Sequence, residues 1–173
     1  MWGFGRKPQE YDRYEFTARF VEGRIGRIPA HGERIVVRAG RAEGRLLGGN
    51  LRCLLKLAGT RYFPDMQGAI LFLEALHATP EGCEDLFRKL EREGVFNRIN
   101  GAIVGYIHSA QKDGALESPV EQILARMSAG YGFPILKVND FGHNCSNTVL
   151  PVGGLVRIDT ADLSVEILEA CAR

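Results

Sequence analysis

The sequence has little of what marks a metal-stapled, secreted or membrane-bound protein. Its cysteines, Cys53, Cys83, Cys145 and Cys171, are irregularly spaced, and none is part of a C-x-x-C pair. That pattern excludes a zinc framework and a secreted disulfide scaffold. Reduced thiols in a cytoplasmic protein are the simplest reading. No run of about 18 apolar residues occurs, so no membrane-spanning helix is expected. The opening MWGFGRKPQEYDR lacks the apolar core of a secretory signal. The net charge is only +1, so bulk electrostatics favours neither nucleic acid nor a membrane surface as partner. The arginines of RFVEGRIGR and RIVVRAGRAEGR are interspersed with acids, which reads as a solvated edge. No internal repeat or low-complexity segment stands out.

What is present is the material of a globular domain. Apolar residues make up 45% and charged residues 25% of 173 residues, enough for one domain with a sizeable core. YEFTARFV and RIVVRAG alternate like strands, separated by the turn-like PAHGE. GRLLGGNLRCLLKLAG reads as a short strand, a Gly-Gly turn, and a helix capped by Asn50 and stopped at Gly59. GAILFLEAL is an apolar run of strand length, expected to be buried on both faces. PEGCEDLFRKLEREG is an amphipathic helix, with Pro80 at its start, Leu86, Phe87 and Leu90 inward and Gly94 as stop. GAIVGYI and GFPILKV are further buried strands. Between them SPVEQILARMSAG is a helix with Ser118 as cap and Glu121 closing a capping box. GLVRIDTADLSVEILE ends the chain as a hairpin. Strand and helix alternate through the middle, which means a parallel sheet with right-handed crossovers.

Ligands of such sheets gather beyond the carboxyl ends of the strands. Two ionisable residues belong there. Glu74 ends GAILFLE, and His143 follows the strand FPILKV behind Gly142. A carboxylate that accepts the proton of one imidazole nitrogen leaves the other nitrogen free as a base, two thirds of a nucleophilic triad. Each residue also has a plain structural reading, a solvated or paired acid and a hydrogen-bonded loop imidazole. The third member is missing. There is no G-x-S-x-G elbow. Ser118 is a helix cap, Ser128 lies near a helix end, and nothing around Ser146 suggests a strained turn. Cys145 is close to His143 in sequence, but alternate neighbours in an extended segment point apart. No ligand spacing joins His143 to His31, His77 or His108 in a metal site, and no cofactor is expected.

The stretches GRLLGGNLRCLLKLAGTRYFPDMQGAILFLEAL, LEREGVFNRINGAIVG and DFGHNCSNTVLPVGG together resemble the carboxyl-terminal domain of the LD-carboxypeptidases. That serine peptidase family includes the microcin C immunity proteins. The likeness runs from about Arg41 to Asp159. It implies a swivelling β/β/α three-layer α/β domain with a mainly parallel central sheet, over residues 41–173. Residues 1–40 would be an interdomain connection and the first strands. It implies that Glu74 and His143 are the catalytic acid and base of a Ser-Glu-His triad. The nucleophile and oxyanion hole would come from an amino-terminal domain, so the isolated chain is expected to be inactive. The implied reaction is hydrolysis of L,D-amide bonds, in muropeptides during peptidoglycan recycling or in a peptidyl-nucleotide antibiotic. NDFGH is the feature nearer to the immunity branch, while NCSN fits neither branch. The implied partners are the Ser-bearing domain, a peptide substrate and a second copy in a homodimer.

Gly142 is expected to turn the His143 ring toward the cleft. GGN, at Gly48 to Asn50, reads as a tight capped turn or as a close backbone approach near a domain interface. Phe141 and Tyr131 suit either the cleft or the core. Apolar surface is expected around LLGGN and near His143. The competing function is a non-catalytic peptide-binding or dimerisation module on the same fold.

Overall fold

The computed structural model describes residues 8–110 and 118–171; residues 1–7, the start of the expected interdomain connection, lie outside the described residues. The strands are β1 (Gly26–Arg27), β2 (Arg34–Arg38), β3 (Arg41–Asn50), β4 (Ile70–Glu74), β5 (Gly101–Tyr106), β6 (Ile135–Gly142), β7 (Leu155–Asp159) and β8 (Ser164–Ile167). They form one sheet in the order β1-β8-β7-β3-β4-β5-β6-β2.

Strand β3 joins two layers. Its first half, Arg41 to Arg45, pairs antiparallel with β7. Its second half, Leu46 to Asn50, pairs parallel with β4. The expected Gly-Gly turn is therefore absent, because Gly48 and Gly49 are paired with Phe72 and Leu73 inside the strand. Gly48 has φ +146°, and a Cβ there would lie 1.8 Å from the Phe72 carbonyl oxygen. The glycine is what lets the strand pass that close.

The helices α2 (Leu51–Leu55), α3 (Pro80–Arg92), α4 (Val95–Arg98) and α5 (Pro119–Met127) connect the later strands. Leu71, Leu73, Ala102, Val104 and Ile135 share a core with Phe87, Leu90 and Leu124 of these helices. The alternate residues Ile70, Phe72, Ile103 and Leu136 pack instead on Val156, Ile158, Val165 and Ile167 of the antiparallel layer. Both faces of β4 are thus dry, which is why its sequence is apolar without alternation. The result is the expected three-layer β/β/α arrangement. The caps hold as read: Asn50 accepts from the Cys53 N–H, and the Ser118–Glu121 box is closed. Among the described residues, no helix is long and apolar enough to cross a membrane.

YEFTARFV is the main departure. It forms helix α1 (Glu10–Phe16) and runs on as a π-helical turn, Thr17–Val21. Its buried residues are Asp12, Glu15, Ala18 and Arg19, whereas Tyr14, Phe16, Phe20 and Val21 are exposed. The polar face is turned inward, so a search for an apolar helical stripe passes over it. This segment, rather than LLGGN, carries exposed apolar surface; Leu46 is fully buried.

One buried charge makes stability depend on pH. Lys137 of β6 is fully buried, donates to the Gly105 carbonyl at 2.6 Å and lies 3.9 Å from Glu121. Burial pushes its ammonium down from 10.5 to about 8, against the opposing pull of Glu121. Between those values the unfolded chain holds a proton that the folded chain has lost, so this residue adds stability as pH rises. Against Lys137→Met, the wild type is expected to gain on the order of 1 kcal/mol per pH unit above pH 8. Denaturant titrations of both chains from about pH 7.5 to about pH 9.5 check this; a difference independent of pH contradicts it.

Candidate active site

Glu74 is the last residue of β4 and stands in register beside Asn50, the last of β3. His143 lies two strands away, just past the end of β6. In the sheet order β5 runs between β4 and β6, so the two side chains have to meet over its end. Neighbouring strands lie about 4.8 Å apart, which puts the gap within reach of one Glu and one His. The β5–β6 pairing slips between Val104 and Tyr106, bringing Gly142 opposite Tyr106. Gly142 has φ +134°, and a Cβ there would lie 2.5 Å from the Tyr106 carbonyl oxygen. A glycine is needed at the point where the chain turns to present His143.

The two side chains do meet. Nδ1 of His143 is 2.5 Å from Oε2 of Glu74. An ionised carboxylate only accepts, so in the neutral ring Nδ1 carries the hydrogen and Nε2 holds the free lone pair. The His143 side chain is 24% exposed and that of Glu74 11%. The ring is therefore open to a reactant, while the acid behind it is largely shielded.

Asn50 completes the arrangement. Its Nδ2 donates to Oε1 of Glu74 at 2.8 Å, while its Oδ1 caps α2. Both carboxylate oxygens are thereby fixed. The sequence reading found only the cap. The additional signal is the in-register parallel neighbour: a residue ending β3 must stand beside one ending β4.

Other candidates fall outside this constellation. Phe141 is buried in the antiparallel-side core, edge-on to Phe72 at 6.0 Å. Tyr131 packs edge-on against Phe96, with its hydroxyl donating to Glu91. Ser109 is tied to the backbone of Ala78, and the Ser146 hydroxyl donates to Gln9. Among the described residues, no serine hydroxyl is bonded to the His143 ring. None of the four cysteines is in a disulfide, and burial pushes the Cys83 thiol up to about 11. Among the described residues no cluster of three His, Cys, Asp or Glu is arranged to hold a metal. What the site can do chemically is accept a proton at Nε2 and return it, with Glu74 stabilising the imidazolium.

The LD-carboxypeptidase C-terminal domain matches residues 43–158. The microcin C7 self-immunity protein MccF of Escherichia coli is 30% identical over 132 residues, covering 76% of this chain and 38% of MccF. A structure of MccF in complex with glutamyl sulfamoyl guanosine superposes with a TM-score of 0.72 at 27% identity, over 82% of this chain and 42% of that one. The muramoyltetrapeptide carboxypeptidase from Oxalobacter formigenes gives 0.63 at 25% identity, over 79% of this chain and 50% of its own. The chain thus spans half or less of these relatives' length. Helix α1 and strands β1 and β2 precede the matched segment, which holds Asn50, Glu74 and His143 alike. The chain belongs to the LD-carboxypeptidase C-terminal domain family.

Proposed function

We propose that this chain supplies the acid–base half of a serine carboxypeptidase site. The observation that carries the reading is the 2.5 Å contact between Glu74 Oε2 and His143 Nδ1 at the open edge of the sheet. In this reading residues 41–173 are the family domain, residues 1–40 lead into it, and a Ser-bearing domain of the same protein faces His143. The serine Oγ attacks the amide carbonyl carbon while Nε2 takes its proton. Nε2 then gives that proton to the leaving amine as the C–N bond breaks. Water repeats the sequence on the acyl-enzyme, releasing the acid and restoring the serine. Glu74 holds the ring and balances its charge at both stages.

Two relatives support a reading of the substrate class. One is a muramoyltetrapeptide carboxypeptidase and another binds glutamyl sulfamoyl guanosine. We infer an amide next to a D-centre in a wall peptide, with an aminoacyl-sulfamoyl nucleoside as the competing substrate. The test joins the chain to a Ser-bearing domain of the family and measures release of terminal D-alanine from an L,D-tetrapeptide. Hydrolysis of the L,D but not the L,L peptide is expected, with none from the chain alone. Absence of turnover on either substrate class overturns the reading.

Asn50 gives a finer prediction. Asn50→Asp keeps the oxygen that caps α2 but replaces the donor to Glu74 with a second carboxylate. Catalysis is expected to fall at least about tenfold, as one oriented hydrogen bond is lost and like charges meet, with the chain still folded. Equal rates for the two proteins would mean that Asn50 serves only as a cap.

A further inference from the structure

The loop that carries His143 is held by a helix that precedes residues 43–158, the segment matched by the family domain. Three consecutive loop residues each bond to α1 or its cap. The Ser146 hydroxyl donates to Gln9 Oε1 at 2.6 Å, the Asn147 N–H to Asp12 Oδ1 at 2.6 Å, and the Thr148 hydroxyl to Glu15 Oε2 at 2.9 Å. Residues 9, 12 and 15 recur every three positions, so they line one face of the helix. Asp12 is 5% exposed and Glu15 fully buried.

The grip reaches the catalytic ring through Asn147. Its Oδ1 accepts from the Gly142 N–H at 3.0 Å, and its Nδ2 donates to the Cys145 carbonyl at 2.9 Å. It therefore ties together the two sides of His143, while its own backbone is fixed by Asp12. The loop needs such support, since Asn144, next to His143, sits at φ +60°. The other end of the brace is anchored too. Arg19 lies 3.5 Å from Glu15 and donates to the carbonyls of Arg24 and Arg27, tying the π-helical turn to β1.

A helix that merely covered the core would bury apolar side chains. This one buries acids and leaves Tyr14, Phe16 and Phe20 exposed. Buried carboxylates are costly unless they are met by donors, and bonds to them are worth more than neutral ones. Here Asp12 accepts from the Asn147 and Gln9 N–H groups, and Glu15 accepts through Oε2 from Thr148 and Arg19.

We propose that α1 is a positioning helix for the proposed base: Gln9, Asp12 and Glu15, acting through Ser146, Asn147 and Thr148, hold His143 in line with Glu74. This rests on the catalytic reading of that pair, yet it can be tested without turnover. Nitrogen-15 NMR of the imidazoles in the whole chain reports which ring nitrogen carries the hydrogen and whether that proton is held in a strong hydrogen bond. The wild type should show a protected Nδ1–H on His143. Asp12→Ala, and from the loop side Ser146→Ala/Thr148→Val, should lose that resonance and average the two ring nitrogens. Asp12→Asn, which keeps an oxygen for the Asn147 N–H, should restore it. Tyr14→Ser, on the exposed face of the same helix, should leave it unchanged. In the enzyme joined to its Ser-bearing domain, the loop-side double variant should lose about tenfold in kcat with KM unchanged. Should Asp12→Ala fail to fold, the loop-side variant, which leaves the helix intact, carries the test. Folded variants that keep the wild-type His143 signal overturn the brace and leave the Glu74–His143 pair standing. A wild type without the signal removes both.

Discussion

His143→Ala is expected to lower kcat/KM for an L,D-amide by roughly 10⁵-fold once the chain is joined to a Ser-bearing domain, with the fold retained. In the proposed triad the members act as a unit, so losing the proposed base would remove both proton transfers at once. The residual rate would come from substrate binding and whatever oxyanion donors the partner domain supplies. The His143 side chain is a quarter exposed and, among the described residues, its ring is hydrogen-bonded to Glu74. Its removal should cost only about 1 kcal/mol of stability, because Asn50 still donates to the carboxylate. Thermal unfolding and steady-state kinetics on one preparation separate the two effects. A variant within about tenfold of the wild type would rule out His143 as the base.

Gly48→Ala is expected to have the largest effect on folding. The added Cβ would lie 1.8 Å from the carbonyl oxygen, 2.8 Å from the carbonyl carbon and 3.0 Å from the nitrogen of Phe72. All three are backbone atoms of the central strand, so no rotamer change relieves the overlap. The pairing that sets Asn50 beside Glu74 would have to open. A loss of about 4 kcal/mol or more, or failure to fold, is the expected outcome. The neighbouring glycine is the control. Gly49 has φ +136° but nothing within 4 Å of a built Cβ. Gly49→Ala should therefore cost only the backbone strain, about 1–3 kcal/mol. Equal losses at the two positions, by urea denaturation, would contradict the close-approach account.

The parts of the fold that could be read ahead were those in which local signals and burial agree. The apolar runs of β4 and β5 could be little else than doubly buried strands. The caps at Asn50 and Ser118 have chemistry that works only at helix starts. The rule that parallel sheets present their ligand groups at the carboxyl edge made Glu74 and His143 candidates, and the family resemblance implied that they work together. What was hidden depended on partners distant in sequence. Gly48 and Gly49 look like a turn until the approach of Phe72 is known. The helix at Glu10–Phe16 was hidden because its inward face is acidic, and the donors that make those acids tolerable lie more than 130 residues on, at Asn147 and Thr148. The second role of Asn50 needed the register of β3 against β4. Local pattern carries propensity and burial; it does not carry long-range polar complementarity.

The central claim is that Glu74 works through His143. A double-mutant cycle on kcat/KM with Glu74→Ala, His143→Ala and the combined variant, each joined to the Ser-bearing domain, tests it most directly. If the acid acts only by orienting and stabilising the imidazole, the combined variant should be no slower than His143→Ala alone. Losses that multiply would show that the two groups act independently, and would contradict the pairing on which the proposed chemistry stands.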